Sequence, residues 1–324
     1  MLTISGTGTI NSAPWQKYND GIKTVIIKDG ITSICSYAFS SSNIENAIIA
    51  DSVIYISNSA FWNCDQLKSI ALSKNLIFIG NSAFNYCSEL ENIELPDTVV
   101  HVGKEAFSYC KKLKGIKLSK NMGSIEEKTF QNCDDLKEVI IPDSVSYIAP
   151  YAFYFSGLES VTLPAGITDI KDAFAFSELK TISVSSYDDT FCSIDGVLFS
   201  KDKKTLVLYP SNRDEDSYTV PSSVTSISEN AFSNCKNKTI TIGSGVTSLD
   251  QSAFYSCDNI NVIISEGLRS LDKNVFSYCD YLTVTIPASV TTINDSLFNG
   301  CEYVSVNYQY GSAAEKFLKK LGWI

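Results

Sequence analysis

Cysteine carries the most obvious chemical potential in this sequence, because a thiolate can attack a substrate, bind a metal or form a disulfide. Eight of the ten cysteines form two groups of four, spaced by 23 residues in the first group and by 22 in the second. They are Cys64, Cys87, Cys110, Cys133, Cys235, Cys257, Cys279 and Cys301. Each lies three residues after a phenylalanine, and serine takes that place at Ser42, Ser156 and Ser177. Serine can fill the space of a thiol but cannot replace half of a disulfide, so we predict a column of free, buried, structural thiols.

Few other residues are candidates for site chemistry. No two cysteines form a C-x-x-C pair and His101 is the only histidine, which argues against a zinc site. A Cys–His nucleophilic pair would require His101 beside a thiol such as Cys87 or Cys110, but His101 precedes the apolar Val102 and is expected to be an exposed surface residue. No phosphate-binding, serine-hydrolase, metalloprotease or EF-hand pattern occurs. We therefore expect no catalytic residues, no metal, no cofactor and no enzymatic activity.

The cysteines are positioned by a repeat that runs along nearly the whole chain. Its unit reads A-F-x-x-C-x-x-L-x-x-I-x-L-P-x-x-V-x-x-I/V, as in the stretch Ala83–Val102. The repeat phenylalanines are separated by 21 to 23 residues, apart from one gap of 58. They are Phe39, Phe61, Phe84, Phe107, Phe130, Phe153, Phe174, Phe232, Phe254, Phe276 and Phe298. Because one unit cannot bury its own apolar side, the units must stack and share a long core.

Each unit contains two apolar segments. Leu90–Leu95 alternates like a short strand, and Val99–Val102 is a return leg that supplies a second apolar wall. A turn that often begins with proline, such as Pro96, separates the two. We predict a right-handed, mostly β leucine-rich-repeat solenoid, capped at both ends. A parallel sheet would line its concave face, and short turns or 3-10 segments would form its convex side.

The chain is predicted to consist of a cap, a repeat array and a second cap. Residues 1–23 have strand and turn character without the repeat, and residues 307–324 contain a helix opened by the capping-box sequence Ser312-Ala-Ala-Glu315. Apolar helix residues are expected to cover the last repeat, and these are Phe317, Leu318 and Leu321. Residues 24–306 form the array. Its 58-residue gap is interpreted as an inserted hairpin at about residues 187–216, with a boundary between two domains as the alternative.

One residue of each strand points outward between two apolar ones, and this row is the candidate concave binding face. The row comprises Ile26, Ile48, Ala71, Glu94, Lys117, Ile140, Thr162, Ser183, Thr219, Thr241, Ile263, Thr285 and Ser305. Threonine and isoleucine are also what β-propensity alone favours at such positions. A flat face of this kind suits a protein or glycan ligand better than a small molecule.

Two further rows accompany the strands. The first is charged and alternates in sign at five of its six steps, which favours strand register and solubility. It comprises Glu45, Lys68, Glu91, Lys114, Lys137, Glu159 and Lys180. The second is aromatic, follows the repeat phenylalanines, and either seals the edge of the core or binds a partner. It comprises Trp62, Tyr86, Tyr109, Phe155, Phe176, Tyr255 and Tyr278.

Composition narrows the choice of partners. A net charge of −10 argues against nucleic acid, and no apolar stretch is long enough for membrane insertion. The first residues lack a basic start and an apolar segment, so no signal peptide is visible. We expect a monomer that binds a protein or a glycan.

The unit AFxxCxxLxxIxLPxxVxxI, carried by Ala60–Ile79 and Ala83–Val102, closely resembles the BspA-like, Treponema pallidum-type leucine-rich repeats of bacterial surface proteins and of some protozoan parasites. The opening and closing segments and the insertion "DGVLFSKDKKTLVLYP" are also similar to that family. The resemblance implies a secreted or surface-exposed bacterial protein that adheres to host matrix proteins or to other microbes, without catalytic residues. The alternative function is a structural spacer that presents another domain.

Overall fold

Each repeat forms a strand where apolar and polar residues alternate, as in Asn92–Glu94, whose central isoleucine is buried between two exposed side chains. The computed structural model describes all 324 residues and divides them into two units. The N-terminal unit comprises residues 1–179 and 184–188, and the C-terminal unit comprises residues 180–183 and 189–324. Each is built from stacked parallel strands, so the predicted parallel solenoid fold is confirmed.

The N-terminal unit stacks its long strands in parallel and in the register of the repeat. Ile48 lies opposite Ala71, and Glu94 lies opposite Lys117. The apolar residues between these outward positions point inward and are buried, as Ile70 is. The long strands are Leu2–Ile4, Thr24–Ile27, Asn46–Ile49, Ser69–Ala71, Asn92–Glu94, Gly115–Lys117, Glu138–Ile140 and Ser160–Leu163.

The return legs of the N-terminal unit carry a second set of short strands. In the five two-residue strands that begin with Tyr55–Ile56, the second residue is a buried isoleucine or valine, and Ile56 lies opposite Ile79 because the repeats are in register. The short strands are Gly8–Thr9, Ile31–Ile34, Tyr55–Ile56, Phe78–Ile79, His101–Val102, Ser124–Ile125 and Tyr147–Ile148. A 3-10 helix lies at Gln16–Gly21, before the second long strand. The strand Thr181–Val184 contains residues of both units.

The C-terminal unit repeats this arrangement of long and short parallel strands. Thr241 lies opposite Ile263, and Ile263 lies opposite Thr285. Its long strands are Ser217–Thr219, Thr239–Ile242, Asn261–Ile264, Thr283–Ile286 and Ser305–Tyr308. Its short strands are Ser226–Ile227, Ser248–Leu249, Ser270–Leu271 and Thr292–Ile293.

The 58-residue gap contains three antiparallel strands, which are Phe191–Ile194, Val197–Ser200 and Thr205–Leu208. The turn between the last two is held by Asp202, whose carboxylate accepts hydrogen bonds from the Ser200 hydroxyl and the Lys204 amide. Thr205–Leu208 also pairs in parallel with Ser226–Ile227. The inserted hairpin therefore supplies the first short strand of the C-terminal stack.

A column of stacked phenylalanine rings fills the core of each unit. Ring centroids in the N-terminal unit are 5.0 Å apart at Phe39–Phe61 and 5.8 Å apart at Phe107–Phe130. In the C-terminal unit the spacing is 4.9 Å at Phe232–Phe254. The spacing follows from the strand separation, because each ring is fixed to a backbone that advances by about 4.8 Å per strand.

Aromatic residues other than phenylalanine close these columns. Trp15 stacks on Phe39 at 5.4 Å and donates its indole N–H to the Ala38 carbonyl. Tyr209, which stands 23 residues before Phe232, begins the C-terminal column at 5.1 Å from that ring.

The C-terminal helix, Ala313–Leu321, covers the other end of the C-terminal column. Ser312 caps it by accepting a hydrogen bond from the Glu315 amide. Phe317 and Leu318 are buried, but the prediction that Leu321 covers the last repeat is wrong, since this side chain is 36% exposed. Trp323, which follows the helix after a turn at Gly322, stacks on Phe298 at 5.6 Å instead.

Candidate binding surfaces

The thiol column is built into the bend that follows each repeat phenylalanine. All ten cysteines are free, and seven of the eight ladder thiols donate to the phenylalanine carbonyl one repeat earlier, as Cys64 does to Phe39 at 3.0 Å and Cys110 does to Phe84 at 3.2 Å. The exception is Cys235, whose preceding repeat has Tyr209 in place of the phenylalanine. Seven of the eight ladder cysteines are buried. Cys301 is half-buried, which corrects the prediction for this one residue, because its repeat is the last of the array.

Burial raises the pKa of four ladder thiols, Cys87, Cys110, Cys133 and Cys257, and makes them poor nucleophiles. Cys64 is an exception, because its hydrogen bonds with Cys87 and Ser42 bring its pKa below the ordinary value despite burial. Loss of solvation raises the pKa of Cys110 to about 12, so the thiolate that nucleophilic attack requires does not form near neutral pH. The predicted exposure of His101 is wrong. Its ring is half-buried because it stacks on Phe78 at 4.8 Å. No group of three or more histidine, cysteine, aspartate or glutamate side chains is arranged to hold a metal ion.

The serines that replace cysteine lie in a shorter bend. Ser42, Ser156 and Ser177 are each two residues, rather than three, before the next buried aliphatic residue. The Ser42 hydroxyl lies 3.3 Å from the Cys64 thiol, and the Ser177 hydroxyl donates to the Phe174 carbonyl at 2.7 Å. The Ser156 hydroxyl is buried without a hydrogen-bond partner. Ser156 thus fills the thiol position without reproducing its hydrogen bond to the preceding repeat.

The outward side of the long strands, here called the strand face, carries the residues predicted as the binding row. In the N-terminal unit these residues pair as Ile48 with Ala71, Glu94 with Lys117, and Ile140 with Thr162. All six are exposed. In the C-terminal unit Thr219, Thr241, Ile263 and Thr285 lie in one continuous register, of which Thr241 and Thr285 are half-buried. Ser183 is exposed and lies between Ile182 and Val184.

One correction concerns the end of this row. Asn307, rather than Ser305, lies opposite Thr285, and Ser305 lies opposite Thr283. The strand face of the C-terminal unit therefore ends on Asn307.

Each strand face contains a shallow depression where the strands end. The N-terminal depression has a volume of about 380 Å³, and Ala71, Glu94 and Lys117 of the predicted row contribute to its lining, together with Lys74 and Pro96. The C-terminal depression has a volume of about 410 Å³. Both are open surface features rather than enclosed cavities, which suits the edge of a larger ligand better than a whole small molecule.

The predicted charged row forms ion pairs between neighbouring repeats. Lys68 lies 3.2 Å from Glu45, and Lys114 lies 3.2 Å from Glu91. Exposed pairs of this kind contribute little individually and fix register along paired strands. Hydrogen bonds from the amino groups of Lys68 and Lys23 lower the pKa of the Glu45 carboxyl.

The predicted aromatic row divides into two rows. Trp62 and Tyr255 follow the repeat phenylalanine directly, whereas the other five residues stand one position later. Those five have positive φ angles between 51° and 62°, a left-handed conformation that bulky residues rarely adopt. They are Tyr86, Tyr109, Phe155, Phe176 and Tyr278. Tyr86 and Tyr109 stack at 4.3 Å, and Phe155 stays 47% exposed, so these rings pack on one another while remaining accessible.

A polar cluster beside the insertion was not predicted. Tyr209 and Arg213 both donate to one carboxylate oxygen of Glu215 at 2.8 Å. Lys238, which is buried in the position that other repeats fill with leucine, isoleucine or valine, donates to the backbone carbonyls of Arg213 and Glu215. Although burial raises the pKa of Glu215, the hydrogen bonds from Arg213 and Tyr209 bring it below its ordinary value. The cluster fastens the insertion to the first full C-terminal repeat.

Stacked repeats, an aromatic core column and structural thiols define a leucine-rich-repeat solenoid. The model of the family "BspA type Leucine rich repeat region (6 copies)" matches residues 8–114, 78–205 and 211–312. The chain therefore belongs to the BspA-type leucine-rich-repeat family, and the resemblance is confirmed.

Solved structures agree with this assignment. A leucine-rich cell surface protein of Faecalibacterium prausnitzii is 26% identical, with a TM-score of 0.67 over 90% of this chain and 89% of that one. The pneumococcal vaccine antigen PcpA, at 21% identity and a TM-score of 0.59, covers 97% and 89% of the two chains and shows the same fold. A leucine-rich-repeat protein of Bacteroides ovatus, at 19% identity and a TM-score of 0.59, covers 95% and 91%. No curated protein sequence matches significantly.

The chain forms no helix with the length and hydropathy needed to cross a bilayer.

Proposed function

We propose that the chain is a non-catalytic recognition module of a bacterial surface or secreted protein. In this proposal the strand face of the N-terminal unit binds a protein ligand, from the host matrix or from another microbe, and thereby mediates adhesion. Family membership supports a protein-interaction module, and the similar Faecalibacterium prausnitzii protein is described as a cell surface protein. Buried thiols with a raised pKa, such as that of Cys110, favour a role without catalysis.

The observation that carries the proposal is the mixture of apolar and charged side chains on this uncovered face. Ile140 is 84% exposed and Ile48 is 50% exposed, although both could be replaced by polar residues without loss to the core. Glu94 and Lys117 lie between them in sequence, on adjacent paired strands. Apolar anchors contribute binding energy when a partner covers them, and neighbouring charges of opposite sign orient that partner.

The test is binding of the whole chain to immobilised extracellular-matrix proteins and to intact cells of other bacteria, by interferometry and cell adhesion. The variant Glu94→Ala/Lys117→Ala/Ile140→Ala is expected to lose at least about tenfold in affinity for the ligand found. Val100→Ala is the matched control, since Val100 is an apolar residue, 53% exposed, that lies next to a return-leg strand. Both variants should melt like the parent chain.

Two results would contradict the proposal. Binding that the triple variant leaves unchanged would exclude this strand face as the contact surface. Failure of the chain to bind any matrix protein or cell would favour the alternative function, a structural spacer that presents another domain.

A further inference from the structure

The strand face of the C-terminal unit carries no charged residue. Two residues from each of its five long strands face outward, and nine of the ten are serine, threonine or asparagine. They are Ser217, Thr219, Thr239, Thr241, Asn261, Ile263, Thr283, Thr285, Ser305 and Asn307. At the chain's overall 19% of charged residues, ten positions would hold about two charges, and surface positions would hold more. The N-terminal strand face does hold charges, at Glu94, Lys117 and Glu138.

These side chains are available for hydrogen bonds to a ligand. Within the set only Asn307 and Thr285 bond to each other, with the Asn307 amide donating to the Thr285 hydroxyl at 3.3 Å. A hydroxyl or an amide group both donates and accepts hydrogen bonds. The face therefore offers both donors and acceptors, without formal charge.

The groups also form an ordered array. Register pairing aligns Thr239 with Asn261 and Thr283, and Thr241 with Ile263 and Thr285, in two parallel rows. Strand geometry separates neighbours along a row by about 4.8 Å and separates the rows by roughly 7 Å. Because β-branched threonine is restricted at χ1, fixing its hydroxyl on a ligand costs little side-chain entropy.

The depression at the end of these strands extends the array. It is lined by Thr285, Asn307, Tyr308 and Gln309, and the Tyr308 ring is 37% exposed. One carboxylate, Glu266, also lies there, but its oxygens already accept hydrogen bonds from the Ala288 and Ser289 amides. An exposed aromatic ring beside uncharged polar groups provides a surface on which a ring with both apolar and hydroxyl faces can stack.

We propose that the C-terminal strand face binds a neutral polysaccharide. Sugar hydroxyls donate and accept as the array does, and a repeating polymer matches a repeating row of contacts. A charged partner would lose hydration on a face that offers it no opposite charge, which costs more than uncharged hydrogen bonds return. This surface is separate from the residues proposed for protein binding, so either function can hold without the other.

The experiment uses the whole 324-residue chain and isothermal titration with soluble polysaccharides. The neutral probes are a linear β-glucan, an α-mannan and a soluble starch, and the charged probes are heparin and chitosan. We expect binding to at least one neutral probe and at least about tenfold weaker binding after Thr241→Val/Thr285→Val. Valine keeps the shape and β-propensity of threonine, so this change removes only the hydroxyls. Thr292→Val, on an exposed return-leg strand, is the matched control and should bind like the parent.

Three results would overturn the proposal: binding to none of the neutral probes, binding confined to heparin or chitosan, or equal affinities for the parent and the Thr241→Val/Thr285→Val variant. Melting curves of both variants report whether the fold is retained. Because the matrix-protein test changes residues of the N-terminal unit alone, failure of one proposal is distinguishable from failure of the other.

Discussion

The repeats of the two units differ by one residue between the bend and the long strand. In the N-terminal unit two residues, Lys68 and Ser69, separate the buried Leu67 from the buried Ile70. In the C-terminal unit only Asn261 separates the corresponding Ile260 and Val262. The shorter connection coincides with a left-handed residue two positions after each cysteine. These residues are Asn237, Asn259, Tyr281 and Tyr303, with φ between 51° and 54°.

The missing residue is the one that carries charge. In the N-terminal unit this position holds the row that forms ion pairs, such as Lys68 with Glu45 and Lys114 with Glu91. The C-terminal unit uses backbone bridges between residues 236, 258, 280 and 302 at its bends instead. Both units keep their register by backbone pairing of the strands. The N-terminal unit adds ion pairs between neighbouring repeats, whereas the C-terminal unit adds backbone bridges at its bends and so has no charged row beside its strand face.

The largest expected effect concerns what the two units share, the phenylalanine column. Phe107→Ala and Phe254→Ala should each lower the free energy of unfolding by about 3–5 kcal/mol, because both rings are fully buried and leave cavities. Denaturant unfolding followed by fluorescence and circular dichroism measures the loss. Phe107→Leu, which leaves a smaller cavity, is the control and should cost less. An unchanged denaturation midpoint for either alanine variant would contradict the prediction that the phenylalanine column stabilises both units.

Much of this core could be predicted from the sequence, because a side chain that stacks on the equivalent side chain of the next repeat recurs with the same residue type and spacing. The exceptions are residues at the ends of the columns. Trp15 and Tyr209 belong to the aromatic columns but are not phenylalanines, so the repeat pattern does not include them. Lys238 replaces an aliphatic residue because the insertion provides carbonyl oxygens for its ammonium, and that partner is visible only in three dimensions.

The next effect tests the backbone difference directly. Asn237 has φ = 53°, whereas Gln66, at the same position of an N-terminal repeat, does not have a positive φ. Asn237→Gly should be more stable than Asn237→Ala by about 1 kcal/mol, because alanine is strained in the left-handed region. At position 66 the order should be reversed, so that Gln66→Ala is more stable than Gln66→Gly. Thermal unfolding of the four variants measures the stability difference between alanine and glycine at each site. The same preference at both sites would contradict the difference in backbone conformation.

The binding surface was less predictable than the core. The alternating pattern identifies outward residues, but each strand has two of them, and the prediction took Ser305 in the last strand where Asn307 continues the row. The absence of charge on one strand face becomes apparent only when both outward positions of each strand are aligned by pairing. Which face binds, and what it binds, remains a proposal, since exposed threonine satisfies β-propensity and ligand binding equally well.

The smallest effect concerns the ion pairs of the N-terminal unit. A double-mutant cycle with Glu91→Ala and Lys114→Ala should give a coupling free energy of about 0.2–1 kcal/mol, because both side chains are about half exposed. High salt should reduce it. Lys117→Ala, which removes a lysine without an ion pair, serves as the control and should show no coupling with Glu91→Ala. Equal coupling in both cycles would mean that the charged row does not set register.

The central claim is that the repeat register places the cysteines in the core and leaves recognition to the strands. Peptide-resolved alkylation of the folded chain with iodoacetamide at pH 8, without reductant, tests it most directly. We expect ten free thiols, with Cys110 and Cys257 reacting only through unfolding and the half-buried Cys192 reacting much faster. Since the folded pKa of Cys110 is raised to about 12, unfolding releases its proton above about pH 8.5, and stability should fall between that pH and about 12. Ladder cysteines recovered as disulfides, or alkylated as fast as Cys192, would contradict the account.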